Sequence, residues 1–243
     1  MFDLARLRER FPNREIYWHP VIDSTMYEAQ RLVSLGSPSG TVVGADEQLS
    51  GVGRHGHSWH SEAENGIYVT VILRMPSAAP IVTLMLGVAV QDAIATACGV
   101  RCDLRWPNDL LIGEKKACGI LTQVCDGAIL AGIGINANHR AFSADLAEVA
   151  TSLRIEARRE IDREDLLIHL LDSIDRHAEL SKEDVLRLFS QGSSYVRGRR
   201  VMVDGIRGTT AGMDPDGFLI LEKPDRARML ILAGGVRPDP AAS

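Results

Sequence analysis

Basic residues are in no overall surplus in this chain: 27 Lys and Arg stand against 32 Asp and Glu, a formal net charge of −5. That balance supplies no general cationic surface and counts against DNA or RNA as a partner, while leaving room for a local patch. A signal peptide is also missing. The opening stretch MFDLARLRERFPNREIYWHP breaks its apolar residues with Arg and Glu every few positions, and no stretch reaches the length of a membrane span. The four cysteines, Cys98, Cys102, Cys118 and Cys125, form no C-x-x-C pair, and the last two sit in apolar, strand-like runs. Buried free thiols in a reducing compartment account for them, so a cytoplasmic location is expected. There is no internal repeat and no low-complexity segment; the one tail without pattern is Pro238–Ser243.

What is present is ordinary globular composition, with 45% apolar and 24% charged residues over 243 positions. That is enough for one sizeable domain and a small appended one. A helix is expected over residues 24–35, capped by Asp23 or Ser24 and stopped at Gly36. A strand over 41–47 leads to a polar, glycine-rich loop from Gln48 to about Asn65, then a strand over 66–75 and an apolar helix over 81–98. Strands follow over 101–106, 109–112, 117–125 and 128–138, the middle two joined by a turn at Gly113-Glu114. Residues 162–191 return to helical spacing, with Leu166, Leu167, Leu170, Leu171 and Ile174 on one face. After Gly192-Ser193-Ser194, short β-type runs alternate with Gly, Asp and Pro turns. The fold class is therefore α+β, a mixed sheet packed by helices over 1–193 followed by a small all-β barrel over 194–243.

The loop Gly51-Val52-Gly53-Arg54-His55-Gly56-His57-Ser58 fits G-x-G-x-x-G and nearly fits the phosphate loop, with His57 where Lys belongs. Both motifs need a helix directly after the glycines, and the Trp59–Gly66 segment has no helical period. The glycines still free the backbone to fold amides around an anion, and Arg54 adds forked donors. A flexible surface loop is the plainer alternative. A second cluster, Arg105-Trp106-Pro107-Asn108-Asp109, precedes the 113–114 turn, and a hairpin there returns Lys116 to the neighbourhood of Asp109. A lysine so held suits an anionic transition state, although a solvated turn explains the same spacing. In Gly132-Ile133-Gly134-Ile135-Asn136-Ala137-Asn138, small residues on a buried strand allow close approach of a flat ligand or of another backbone. Asn136 either meets an adenine edge or caps a turn.

Taken in order, Asp23-Ser24-Thr25, Gln48 with the Gly51–Trp59 loop, Trp106-Pro107-Asn108-Asp109, Lys116 with Gly119-Ile120-Leu121, and Gly132–Asn138 resemble the biotin protein ligases. The resemblance covers nearly the whole chain. It implies a class II synthetase-like catalytic domain followed by an SH3-like barrel, ATP and Mg²⁺ as co-substrate and activator, and biotin as substrate. Biotin carboxylate attacks the α-phosphate of ATP to give biotinyl-5′-AMP. A lysine of a biotin carboxyl carrier domain then takes the biotinyl group. By the same resemblance Ser24, Thr25, Met26 and Gln48 line the biotin pocket, and Val52, Gly53 and Arg54 fold over the carboxylate and phosphate. Trp59, Asn65, Asn108 and Asn136 join Arg54 around the nucleotide. Lys116, Arg54 and Asp109 carry the chemistry, Lys116 at the reacting oxygens and Asp109 assisting the metal or the incoming lysine. No residue set for a resident metal is indicated.

The chain departs from the family pattern at Met26, where Asn is usual, and at Val52 and His57, which replace arginines. Only 22 residues precede Asp23, too few for the DNA-binding winged helix of bifunctional relatives. The basic run Arg197-Gly198-Arg199-Arg200 suits a solvated edge or a docking surface for an acidic carrier. Homodimers through the sheet edge occur in the family. A lipoate ligase shares the fold but carries an R-R-x-S-G-G-G segment absent here, and a non-catalytic biotin binder has no need of Arg54, Asp109 and Lys116 together.

Overall fold

The computed structural model describes residues 2–240. Its elements run α1 (Leu4–Arg10), β1 (Ile16–Ile22), α2 (Thr25–Ser34), β2 (Val42–Gln48), β3 (Gly66–Leu73), α3 (Ala79–Cys98), β4 (Asp103–Arg105), β5 (Asp109–Ile112), β6 (Lys115–Cys125) and β7 (Ala128–Asn136). Then come α4 (Leu153–Ala157), α5 (Arg163–Ala178), α6 (Lys182–Gln191), β8 (Arg197–Val203), β9 (Ile206–Met213), β10 (Leu219–Glu222), β11 (Arg228–Ile231) and β12 (Val236–Pro238). The first seven strands form one mixed sheet in the order β1-β2-β3-β7-β6-β5-β4, and the last five an antiparallel sheet in the order β11-β10-β9-β8-β12.

The pleat of β7 separates two faces. Ile129, Ala131, Ile133 and Ile135 point into the main core with α3 and α5, whereas Leu130 belongs to a second cluster under α2, with Met26, Ala29, Leu32, Val43 and Ile72. Gly132, Gly134 and Asn136 therefore share the α2 face with Leu130. Ser24 starts α2 by accepting the Met26 N–H at 3.3 Å, and Gly36 (φ 87°) follows its end, so the expected bracket is close to the observed helix. Gly113 (φ 60°) makes the turn between β5 and β6, with Ile112 opposite Lys115.

The structure corrects three expectations. Helix α3 has 20 residues and a mean hydropathy of 1.8, long and apolar enough to cross a membrane, contrary to the sequence reading; 72% of that window is buried inside the fold. It is apolar all round because the sheet covers one side and α5 and α6 another. The helical stretch 162–191 is broken at Ser181, which caps α6 by accepting the Asp184 N–H at 3.1 Å. The expected tail loses Pro238 to β12, opposite Val201, while its last three residues, 241–243, lie outside the described residues.

The small sheet is joined to the large one through side chains. Val201, Val203, Leu219, Leu221, Ile231 and Val236 belong to the same apolar cluster as α3, and the Trp106 indole donates to Gly217 O at 2.9 Å.

Candidate active site

On the α2 face, Gly119 of β6 lies opposite Gly134 of β7, and Gly132 lies opposite Leu121. The missing side chains leave a flat floor, on which other groups rest directly. A Cβ on Gly134 would stand 2.4 Å from Cε2 of Trp59, one on Gly119 2.8 Å from Cζ3 of the same ring, and one on Gly132 2.8 Å from Sδ of Met26. Only glycine is compatible with this packing. The space left is about 50 Å³, where roughly 10–15 Å³ admits one water molecule, so it holds only a few.

One end of the floor is polar and neutral. The N–H and Oγ1 of Thr25 donate to Gln48 Oε1 at 2.9 and 3.1 Å, Thr70 Oγ1 donates to Thr25 Oγ1 at 2.9 Å, and Gln48 Nε2 donates to Ser61 Oγ at 2.8 Å. The other end is charged. Arg54 Nη1 donates to Asn108 Oδ1 at 2.9 Å and Gly234 O at 3.4 Å. Asn108 is anchored by Nδ2 to Ile120 O at 2.8 Å and accepts the Ile120 N–H at 2.9 Å. Lys116 Nζ is 2.7 Å from Asp109 Oδ1 and 5.1 Å from the Trp59 ring centroid, and Arg105 Nη2 donates to Asp109 Oδ2 at 2.7 Å.

Burial raises the Asp109 carboxyl pKa, but Lys116 and Arg105 on either side outweigh it and hold the group below its ordinary range. Asp109 is thus a carboxylate whose oxygens fix two cations. Burial lowers the Arg54 guanidinium against the pull of Asp109 and Asp204, from a starting value so high that it keeps its charge.

The glycine loop folds as its context requires, without a following helix. Gly53 N–H donates to His57 O at 2.7 Å, Trp59 N–H donates to Gly51 O at 2.8 Å, and Val52 bridges Ser58. One short turn, Arg54–Gly56, crosses the tip with His55 at φ 55°. This places Arg54 and Trp59 on the same pocket.

Of the residues singled out in the sequence, Thr25, Met26, Gln48, Val52, Gly53, Arg54, Trp59, Asn108 and Lys116 line the cavity. Four do not. Ser24 is buried as the helix cap, and Asp109 stands behind Lys116. Asn136 commits its amide to Thr151 O at 3.0 Å and Lys116 O at 3.4 Å, the turn-holding alternative left open above. Asn65 sits at the entry to β3, its carbonyl accepting the Asn138 N–H at 2.6 Å. The sequence reading missed Ser61, Thr70 and Gly234. Thr70 shows as a polar break in the apolar β3, whereas Gly234 has no local signal.

A neutral hydrogen-bonding end, a flat floor and a cationic end suit a small, partly planar carboxylic acid that is to meet a phosphate. Residues 18–139 match the model of the biotin/lipoate A/B protein ligase family. The chain is 34% identical to the bifunctional ligase/repressor BirA of Bacillus subtilis over 89% of its own length and 72% of the relative's. It is 30% identical to the biotin–[acetyl-CoA-carboxylase] ligase of Paracoccus denitrificans, over 83% and 92%. Among solved structures, the biotin protein ligase of Aquifex aeolicus in complex with biotin and ATP superposes with a TM-score of 0.82 at 26% identity, covering 92% of this chain and 97% of that one.

Proposed function

The chain belongs to the biotin/lipoate A/B protein ligase family, and on that premise we infer that it is a biotin–protein ligase. It activates biotin with ATP as biotinyl-5′-AMP and biotinylates a carrier protein. The acceptor is the biotin carboxyl carrier of acetyl-CoA carboxylase, and the accepting group is a lysine amine. The observation that carries the reading is the pairing of the Thr25–Gln48 end with the Arg54–Lys116 end across the glycine floor.

In the first step a biotin carboxylate oxygen bonds to the α-phosphorus of ATP and the bond to pyrophosphate breaks. Thr25 and Gln48 hold the polar ring, while Arg54 and Lys116 bring two anions together and take up charge on the in-line transition state. In the second step the neutral acceptor amine attacks the anhydride carbonyl, loses its proton and expels AMP. Asp109 acts as a positioning residue, holding Lys116 Nζ 2.7 Å from its Oδ1. Because the empty cavity holds so little, ligand entry lifts Trp59 off the floor.

Mg²⁺ enters as the counter-ion of the ATP phosphates. Asp109 pairs both oxygens with Arg105 and Lys116, so we assign the metal to the phosphates that it accompanies. We also take residue 193 as the boundary between the catalytic unit and the small β unit, since no strand of one sheet pairs with the other. Free thiols fit a cytoplasmic setting.

Pyrophosphate release from ATP is the test. Release with biotin that falls 10²–10³-fold in Lys116→Ala, roughly the worth of one transition-state donor, supports the assignment. Release with lipoate alone overturns the substrate, and biotin binding without release overturns the enzyme.

A further inference from the structure

Away from the pocket, one cavity of about 270 Å³ is lined by Arg140, Arg154, Arg158, Arg159 and Ile155. In a chain of net charge −5, four arginines lining one recess are an anomaly. Arg154 alone meets a carboxylate, Glu160 at 3.3 Å, whose side chain is 73% exposed. Arg159 donates only to backbone carbonyls, Cys98 O at 3.1 Å and Glu160 O at 3.4 Å. Arg140 and Arg158 have no ion-pair partner among the described residues.

The backbone adds a second sign. Arg158 ends α4 at φ 55°, ψ 28°, the left-handed conformation in which helices usually place glycine. Arginine there is strained by about 1 kcal/mol relative to glycine, and its one evident contribution is a fourth cation. The neighbouring segments are fixed, with Arg154 N–H donating to Ala137 O at 2.8 Å and Ser152 Oγ donating to His139 O at 2.6 Å. The arginines thus stand on a pinned frame.

We propose that this cavity is a second anion site, separate from the biotin pocket, that binds a diphosphate group. Like charges that line one recess repel until an anion joins them, and guanidiniums bind phosphate oxygens in forked pairs. Three uncompensated cations match a diphosphate, which carries about three negative charges near neutral pH, better than a single phosphate. Free pyrophosphate and the diphosphate of ADP are the two sources. The proposal stands whether or not the biotin assignment does.

Calorimetric titration of the intact chain with metal-free sodium pyrophosphate tests it. The wild type is expected to bind one more equivalent than the Arg140→Ala/Arg158→Gly double variant, and Arg54→Ala is expected to keep that equivalent. Arg158→Gly suits the backbone, so circular dichroism of the variants should match the wild type. ADP binding tighter than pyrophosphate identifies a nucleotide, with Ile155 against it; the reverse order identifies the free ion. Equal stoichiometry in wild type and double variant, loss of the equivalent in Arg54→Ala, or equal affinity for inorganic phosphate overturns the proposal.

Discussion

His139 is 1% exposed, stacked on Phe142 with ring centroids 5.1 Å apart, and reached by Tyr68 Oη only at 3.4 Å from Nε2, while Nδ1 has no partner. Burial drives its pKa from 6.5 down to about 4, with Glu62 pulling upward and His60 adding to the depression. Folded protein therefore binds fewer protons than unfolded protein between those values. Stability is intact above pH 6.5, is lost progressively as the unfolded histidine takes its proton, and levels off below about pH 4. A displacement from 6.5 to about 4, at 1.36 kcal/mol per pH unit, corresponds to roughly 3 kcal/mol. In a chain of this size that is a fall in Tm of about 6–12 °C. Other groups also titrate in acid, so the measurement is a difference: urea unfolding of wild type and His139→Gln at pH 7 and pH 4. The glutamine variant starts lower because it disturbs the packing, but it should lose about 3 kcal/mol less on acidification. Equal losses in the two proteins would show that His139 is hydrated and protonates freely in the fold, and the reasoning would fail.

Gly134→Ala sets a methyl 2.4 Å from Trp59 in the empty protein and on the floor a ligand needs, so biotin affinity by calorimetry should fall at least tenfold with little change in Tm. Arg163 Nη2 pairs with Asp46 Oδ1 at 3.1 Å, both nearly buried, so Arg163→Met strands a buried carboxylate; denaturation at neutral pH should show a loss of about 3–5 kcal/mol. Asp109→Asn keeps the shape but frees Lys116. Adenylation kcat should drop more than tenfold with the KM for biotin within threefold, a split that a merely structural role would not produce.

The parts of this architecture legible in the sequence are those governed by local rules. Ser24 and Gly36 bracket α2, and Gly113 marks the β5–β6 turn that lets Lys116 reach Asp109. The alternation of β7 puts its glycines on one face. Strand β1 was not legible, because Pro20 and the mixed pattern of Ile16–Ile22 suit a sheet edge with no strong period. Asp46 and Arg163 are 117 residues apart and carry no mutual signal until the fold joins them. Asn136 and Thr151 likewise meet only in the fold, where the Asn136 amide donates to Thr151 O at 3.0 Å. Residue type is written in the chain, and the direction a side chain faces depends on its distant neighbours.

The bond from Arg54 to Gly234 O spans 180 residues. During synthesis the glycine loop, the floor and Lys116 all emerge well before the segment that steadies Arg54. A nascent chain halted in β8 to β11 would keep the bond from Arg54 to Asn108 but lack the one to Gly234 O. Order of emergence therefore leaves the second contact to the Arg54 guanidinium to the last-made part of the chain, so the charged end of the pocket is completed only once the small β sheet has formed.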